Sequence, residues 1–224
     1  MLIYLKSKFK RLNMDIIKIV QEKMSQNSYL VVSGEDSILI DAGAYVSAIE
    51  ENLKMFDAKP KLRAVLLTHC HFDHIRELDN ILAKYDCPVY IFKAGKTMLY
   101  DEKQNLSIME NPFKIKTKKN IKTFVDSQDL NFGSINVKCY NTPGHSIDSS
   151  CFVINDNMFT GDTVFKVEVG RCDLYSGDEN MQRISLERFL NTLTEGVEHF
   201  YAGHGANFTN EELQYNINRV LGEL

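Results

Sequence analysis

Ile135, Val137 and Cys139 alternate with Asn136, Lys138 and Tyr140. That period of two is expected of a strand with one face in a core and the other in water. The same pattern predicts a chain rich in strands and interrupted by amphipathic helices. Residues 15–20 read as a first strand, and residues 28–33 and 37–40 as two more, joined at Gly34-Glu35 by a hairpin turn. Val46, Ile49, Leu53 and Phe56 then keep a helical spacing that Pro60 ends. Residues 62–67 are apolar enough for a buried strand, and Leu78, Ile81 and Leu82 place a helix after it, ending near Tyr85. Residues 88–92 form another strand. Residues 149–154 and 158–160 flank Asn155-Asp156-Asn157 as a second hairpin. Leu186, Phe189, Leu190 and Leu193 mark a helix, and residues 198–201 a short strand. Leu213, Ile217, Val220 and Leu221 give the buried face of a last helix, whose Thr209 and Glu212 have capping-box spacing. Residues 95–129 are the least regular part.

Composition narrows the class. A chain of 224 residues without a proline-, glycine- or serine-rich linker suits one domain over residues 1–224, with residues 1–13 as a basic N-terminal arm. That arm lacks the apolar segment of a secretory signal, and Met14 offers an alternative start. No run is long and apolar enough to span a bilayer. The five cysteines show no paired spacing, which suits reduced thiols and a cytoplasmic location. Net charge is −4, so bulk electrostatics do not favour nucleic acid. The local run Lys114, Lys116, Lys118, Lys119 and Lys122 has no interleaved aromatic residue to stack a base, and reads as a solvated loop or edge strand. The expected partner is a small-molecule substrate, with neither nucleic acid nor membrane. Nothing in the pattern speaks to oligomeric state.

The chemistry concentrates at Thr68-His69-Cys70-His71-Phe72-Asp73-His74. Half of the chain's six histidines fall here, between a strand and a helix, where sites form in α/β sheets. Imidazole and carboxylate bind the same borderline metals. Alternation in an extended segment puts His69, His71 and Asp73 on one side and turns Cys70 away, into packing. His145, Asp162 and His204 each follow a strand and are flanked by glycine at Gly144, Gly161, Gly203 and Gly205. Any one of them alone reads equally as a turn residue or a satisfied core histidine. Together they make five histidines and two aspartates, more than the four ligands of one zinc, so two metals fit better. His199 lies within a strand and is read as structural.

The series His69-x-His71-x-Asp73-His74, His145, Asp162 and His204 resembles the metallo-β-lactamase superfamily over residues 28–208. The resemblance implies an α/β (α+β) fold, a four-layer αββα sandwich with the metals at one edge. It assigns His69, His71 and His145 to a first divalent ion and Asp73, His74 and His204 to a second, with Asp162 bridging both. Asp41, in Leu-Ile-Asp-Ala-Gly, corresponds to an aspartate that supports the metal loops. Zinc is the first expectation, and iron or manganese suits the same donors.

Within the superfamily, secreted β-lactamases usually lack the bridging aspartate, and flavo-diiron proteins have Glu where His71 stands. Gly170-Arg171-Cys172-Asp173-Leu174 followed by Gly177-Asp178 resembles a segment of glyoxalase II-like thioester hydrolases, and so do Asn105-Leu106-Ser107 and Asn111-Pro112-Phe113. Arg171 and Asp173 are expected to pair near the site and support it. Two features depart from that branch. The chain extends about one helix past His204, where glyoxalase II has a helical glutathione-binding domain. Ile75-Arg76-Glu77 also stands where glycines are common, and is expected to crowd the mouth of the pocket. The implied reaction is attack on a thioester such as S-lactoylglutathione by a metal-bound hydroxide, oriented by Asp73 as the catalytic residue. Two metals about 3.5–4 Å apart lower the pKa of a shared water toward ~7. The rival readings are a ribonuclease Z-like phosphodiesterase gripping phosphates with the lysine run, a lactonase, and a non-catalytic metal-stabilised binding protein.

Overall fold

The computed structural model describes residues 14–109 and 112–223. The basic arm at 1–13 and Asn111 lie outside the described residues. Twelve strands among them form two six-stranded sheets. The first contains, in spatial order, β1 (Met14–Gln21), β2 (Gln26–Ser33), β3 (Asp36–Ile40), β4 (Lys61–Leu66), β5 (Val89–Phe92) and β6 (Ile121–Phe124). The first three are antiparallel neighbours, and β3 to β6 run parallel. The second contains β7 (Gln128–Phe132), β8 (Ile135–Asn141), β9 (Ser150–Ile154), β10 (Asn157–Gly161), β11 (His199–Ala202) and β12 (Phe208–Thr209). All its pairs are antiparallel except β10 with β11.

Alternation within the strands builds the layers. In β2, Leu30 and Val32 point to one side and meet Ile49 and Leu53 of α1 (Val46–Lys54), while Tyr29 and Val31 point to the other. Leu78 and Ile81 join the same outer core from a second helix. Between the sheets, Tyr29, Val31, Ile38 and Leu66 pack on Val137, Cys139, Phe152 and Phe159. On the far side of the second sheet, Cys151, Met158 and Phe200 pack on Leu186, Phe189, Leu213 and Ile217 from two C-terminal helices. The order is helix, sheet, sheet, helix, the αββα sandwich implied by the sequence. The remaining helices are α2 (Phe72–Ile75), α3 (Leu78–Lys84), α4 (Gly95–Met98), α5 (Glu179–Arg188) and α6 (Asn210–Glu223). The capping box at α6 forms: the Thr209 amide donates to Glu212 Oε2 at 2.9 Å, and the Glu212 amide to Thr209 Oγ1 at 3.4 Å.

Residues 95–129 contain the strand β6 and the first two residues of β7. Both are sheet edges with half-exposed, lysine- or asparagine-punctuated faces, so neither carries a clean apolar period. His199 opens strand β11, as its pattern indicates, and faces solvent. Ile75, Arg76 and Glu77 are engaged in the helical layer: Ile75 is buried in the outer core, Arg76 lies over the Phe113 ring, and Glu77 accepts from Asn80 Nδ2 at 2.8 Å. No helix among the described residues is long and apolar enough to cross a membrane.

Candidate metal centre

Both sheets end at the same edge, and each strand end delivers a polar loop there. After β4 the chain is caught by Asp41, which follows β3 at φ +61°. Asp41 Oδ1 accepts from the Thr68 amide at 2.8 Å, and Oδ2 accepts from Thr68 Oγ1 at 2.8 Å. The same Oδ2 lies 2.8 Å from His74 Nδ1, so one carboxylate holds both ends of the 68–74 loop. The second sheet supplies His145 after β8, Asp162 after β10 and His204 after β11. Because β10 and β11 are parallel, Asp162 and His204 emerge side by side, tied by the Gly203 amide to the Gly161 carbonyl at 2.8 Å. Gly161 turns at φ +51°, a left-handed conformation that glycine tolerates best.

The seven residues converge in two groups that share a carboxylate. His69, His71 and His145 place one donor atom each within 4.8 Å of one another, as do Asp73, His74 and His204. His71 Nδ1 and His145 Nε2 are 2.9 Å apart. Asp73 Oδ2 lies 3.0 Å from His204 Nε2 and 3.6 Å from His74 Nε2. Asp162 reaches both groups: Oδ1 is 3.4 Å from His74 Nε2, and Oδ2 is 3.5 Å from His204 Nε2 and 3.7 Å from His145 Nε2. The first group is sealed, while the His204 side chain is 30% exposed, so the centre opens on the second group's side.

Most of the imidazoles are also held from behind. His145 Nδ1 bonds the Arg171 carbonyl at 2.8 Å, His204 Nδ1 the Ser25 carbonyl at 3.1 Å, and His69 Nδ1 lies 3.1 Å from Thr68 Oγ1. Such outer contacts fix ring orientation in metal sites. Into the centre, His69 Nε2, His74 Nε2 and Asp162 Oδ1 are buried without any hydrogen bond. Orphaned buried donors and acceptors are costly unless something else satisfies them. A divalent cation does so for this set, which consists only of nitrogen and oxygen and suits zinc, iron or manganese. Cys70 adds no sulfur: it is buried in the outer core, and burial holds its thiol well above the usual range.

Electrostatics divide the two groups. Burial, reinforced by neighbouring imidazoles, keeps His69 well below the usual imidazole range and His71 down at about 3. Burial also opposes a charge on His74, but Asp73, Asp162 and Asp41 outweigh it and raise His74 well above the usual range. Asp162 is held well below the carboxylate range by His74, against its own burial. At neutral pH, in the absence of metal, His69 and His71 are therefore neutral, while the second group holds an imidazolium among carboxylates. A ligating imidazole must give up that proton. Titrating metal-free protein with a divalent cation at pH 7 is expected to release more protons as the second group fills than as the first fills, because the pKa values of His74 and His204 are both raised. Potentiometric titration checks this, and equal release in both phases would contradict it.

Arg171 and Asp173 do pair, with Arg171 Nε and a second guanidinium nitrogen each 2.6 Å from the Asp173 carboxylate. Both side chains are exposed, however, and the group that reaches His145 is the Arg171 backbone carbonyl. The support expected of the two side chains belongs to the main chain. Asn105 and Ser107 instead brace their own loop, against the Leu99 and Phe113 carbonyls.

Two positioning residues escape the sequence pattern. Asp148 is fully buried; its Oδ2 accepts from the Cys70 amide at 3.0 Å and its Oδ1 from Ser146 Oγ at 2.8 Å. It thereby ties the loop carrying His69 and His71 to the loop carrying His145. Gln182, on α5, accepts from the His145 amide at 3.1 Å and donates to the Thr163 carbonyl at 2.7 Å. Neither residue carries metal-ligand spacing, and a buried polar side chain looks like a surface one until the chain is folded. Asp148→Asn leaves one of the two donors without its acceptor. It is expected to lower metal retention roughly 10–100-fold in chelator competition, while unchanged retention would show that the bridge is dispensable.

Comparison with known proteins agrees with this geometry. Residues 22–204 match the family described as Metallo-beta-lactamase superfamily. The chain is 32% identical over 181 residues to a Bacillus subtilis (strain 168) protein named "Probable metallo-hydrolase YqgX", covering 80% of this chain and 84% of that protein. The crystal structure of BLEG-1 B3 metallo-beta-lactamase aligns with a TM-score of 0.78 at 26% identity, covering 91% of this chain and 98% of that one. TTHA1623, solved in a di-iron-bound form, aligns with a TM-score of 0.74 at 24% identity over 90% of this chain and 98% of its own, a likeness of fold. The matched segment spans every residue of the two converging groups and the Asp41 that braces them, and the chain belongs to the metallo-β-lactamase superfamily.

Proposed function

We propose that this protein is a dinuclear metal-dependent hydrolase acting on small thioesters. The observation that carries the dinuclear reading is Asp162, a buried carboxylate within 3.4 to 3.7 Å of imidazoles from both groups. In this reading His69, His71 and His145 hold one cation, Asp73, His74 and His204 the other, and Asp162 both. Bound divalent cations supply a polarised carbonyl and a water acidified toward a pKa of ~7. Zinc is the first candidate, with iron or manganese suited to the same donors.

The chain's own residues do the positioning. Asp41 fixes His74, the Arg171 carbonyl fixes His145, and Asp148 keeps the two ligand loops in register. Asp73, less buried than the first group, is placed to accept a proton from a water entering past His204. A thiolate leaving group has a conjugate acid of pKa near ~8.5 and departs without a general acid. The site correspondingly needs none, and the buried Cys70 thiol faces away from it. The Gly170–Leu174 likeness to glyoxalase II-like hydrolases supports the thioester assignment. Of the two lysines beside His204, Lys166 is paired with Glu212 at 2.8 Å and Lys18 donates to the Gly205 carbonyl. The expected partner is a small molecule in the cytoplasm, with no nucleic acid or membrane.

The test is steady-state turnover by metal-loaded protein on S-lactoylglutathione, simpler acyl thioesters, bis-p-nitrophenyl phosphate and a lactone, alongside elemental analysis. About two ions per chain and turnover of the thioesters, with a high KM for S-lactoylglutathione, are expected. Efficient cleavage of the phosphodiester or lactone with no thioester turnover overturns the assignment.

A further inference from the structure

His204 forms one wall of a groove of about 350 Å³ that opens beside the candidate centre. The rest of the groove is built by a hairpin after β10 and by the loop after β11. Val164 and Val169 pair as a bridge, and the Phe165 amide bonds the Glu168 carbonyl at 2.9 Å. The hairpin is fastened to α6: Asn216 Nδ2 donates to the carbonyls of Phe165 and Glu168, each at 3.0 Å, and Arg219 donates to the Val167 carbonyl at 2.6 Å. The backbone of the hairpin is thus held at three carbonyls. Val167 stands 63% exposed at the tip, and the Phe165 ring is edge-on to His204, with centroids 6.3 Å apart. Ala206 completes an apolar lining. The Lys166 ammonium is turned to Glu212, and the groove also carries the Glu168 carboxylate.

An open, mainly apolar groove on an anchored hairpin beside a proposed metal ligand suits an uncharged tail attached to the reacting carbonyl. We propose that this groove seats the acyl chain of the substrate, and that Phe165, Val167 and Ala206 select a short to medium unbranched acyl group with no distal negative charge. The proposal rests on the thioester reading above for its substrate, and on the groove alone for its chain preference. The volume is near the small end of the ~300–1,000 Å³ typical of ligand pockets, so the preference should stop rising once the chain overruns the hairpin tip.

The experiment uses metal-loaded full-length protein and two probe series. Alkyl hydroxamates from acetyl to octanoyl are measured for binding by calorimetry, and the matching acyl thioesters for kcat/KM. Each methylene that enters the groove is expected to tighten hydroxamate binding about threefold to fourfold. Val167→Asp should flatten that slope, and Ala206→Phe should move the optimum to shorter chains. Val125→Asp, an exposed site elsewhere on the molecule, should leave the slope unchanged. Equal binding of all chain lengths, or the same slope in the wild type and Val167→Asp, overturns the groove assignment. A slope in hydroxamate binding without hydrolysis of any thioester supports the groove and removes the thioester reading. Thioester hydrolysis indifferent to acyl length does the reverse.

Discussion

Asp162→Asn is expected to give a folded protein that keeps about one metal ion per chain and loses turnover by at least roughly a hundredfold. An amide offers one neutral oxygen where the carboxylate offers two oxygens and a full charge, and only the carboxylate can serve both groups at once. The loss should fall more heavily on the second group. His69, His71 and His145 form a complete three-imidazole set without Asp162, whereas His74 and His204 are drawn to its charge. The fold should survive, because His74 keeps Asp41 at 2.8 Å and its loop keeps the Asp41–Thr68 bonds. Elemental analysis, thermal melting and steady-state kinetics, run beside His199→Gln, decide the matter. His199 is exposed at the far end of β11, and its variant should match the wild type. Similar behaviour of the two variants would mean that the ligand assignment is wrong.

Gly203→Ala should be nearly as damaging, although it adds a single methyl group outside the ligand set. A Cβ there would meet Asp162 Oδ1 at 2.1 Å and His74 Cε1 at 2.7 Å, closer than real contacts allow. The backbone at Gly203 does not adopt a positive φ, so the penalty is purely steric. Relief requires Asp162 or His74 to move. Overpacking of this kind typically costs about 1–3 kcal/mol of stability. The larger effect should be on metal retention, since both displaced groups are proposed ligands. Chelator competition should show retention at least roughly tenfold weaker, with the first group affected least. An alanine variant with normal metal content would show that the 203–204 loop relaxes away from the centre.

The sequence pattern was most readable where one physical rule acts alone. The strands that pack on both faces show as apolar runs, and β8 shows as alternation, because burial of one face is the only demand on it. The proposed ligands are readable because histidine is scarce in this chain, and metal binding would explain their spacing. What escaped was set by contacts remote in sequence. Gln26 and Asn27 are buried at the start of β2 because Asn27 bonds the Ala202 and Gly205 carbonyls, a use that no local pattern reports. Asp148 and Gln182 act through backbone amides far away in the chain. The edge strands β6 and β7 are polar for the reason edges usually are, and so resemble loops. At Arg171 and Asp173 the charged pair is legible in the sequence and forms, whereas the Arg171 carbonyl that reaches His145 is a backbone group that no side-chain pattern reports.

The convergence of both sheets on one edge also bears on how the molecule comes apart. The proposed ligands divide between the loop after β4 in one sheet and the loops after β8, β10 and β11 in the other. Between those loops the sheets are joined by a greasy interface with no disulfide across it, since the five cysteines are free. Ions held by both halves would act as rivets across that interface, closing long chain segments whose closure entropy grows only slowly with length. Occupancy at a thousand times Kd adds about 4.1 kcal/mol to the folded state, comparable with much of the total stability of a domain. Resistance to heat and proteolysis would then report on metal supply as much as on sequence. A cell starved of the ion would lose the protein itself, in addition to its turnover.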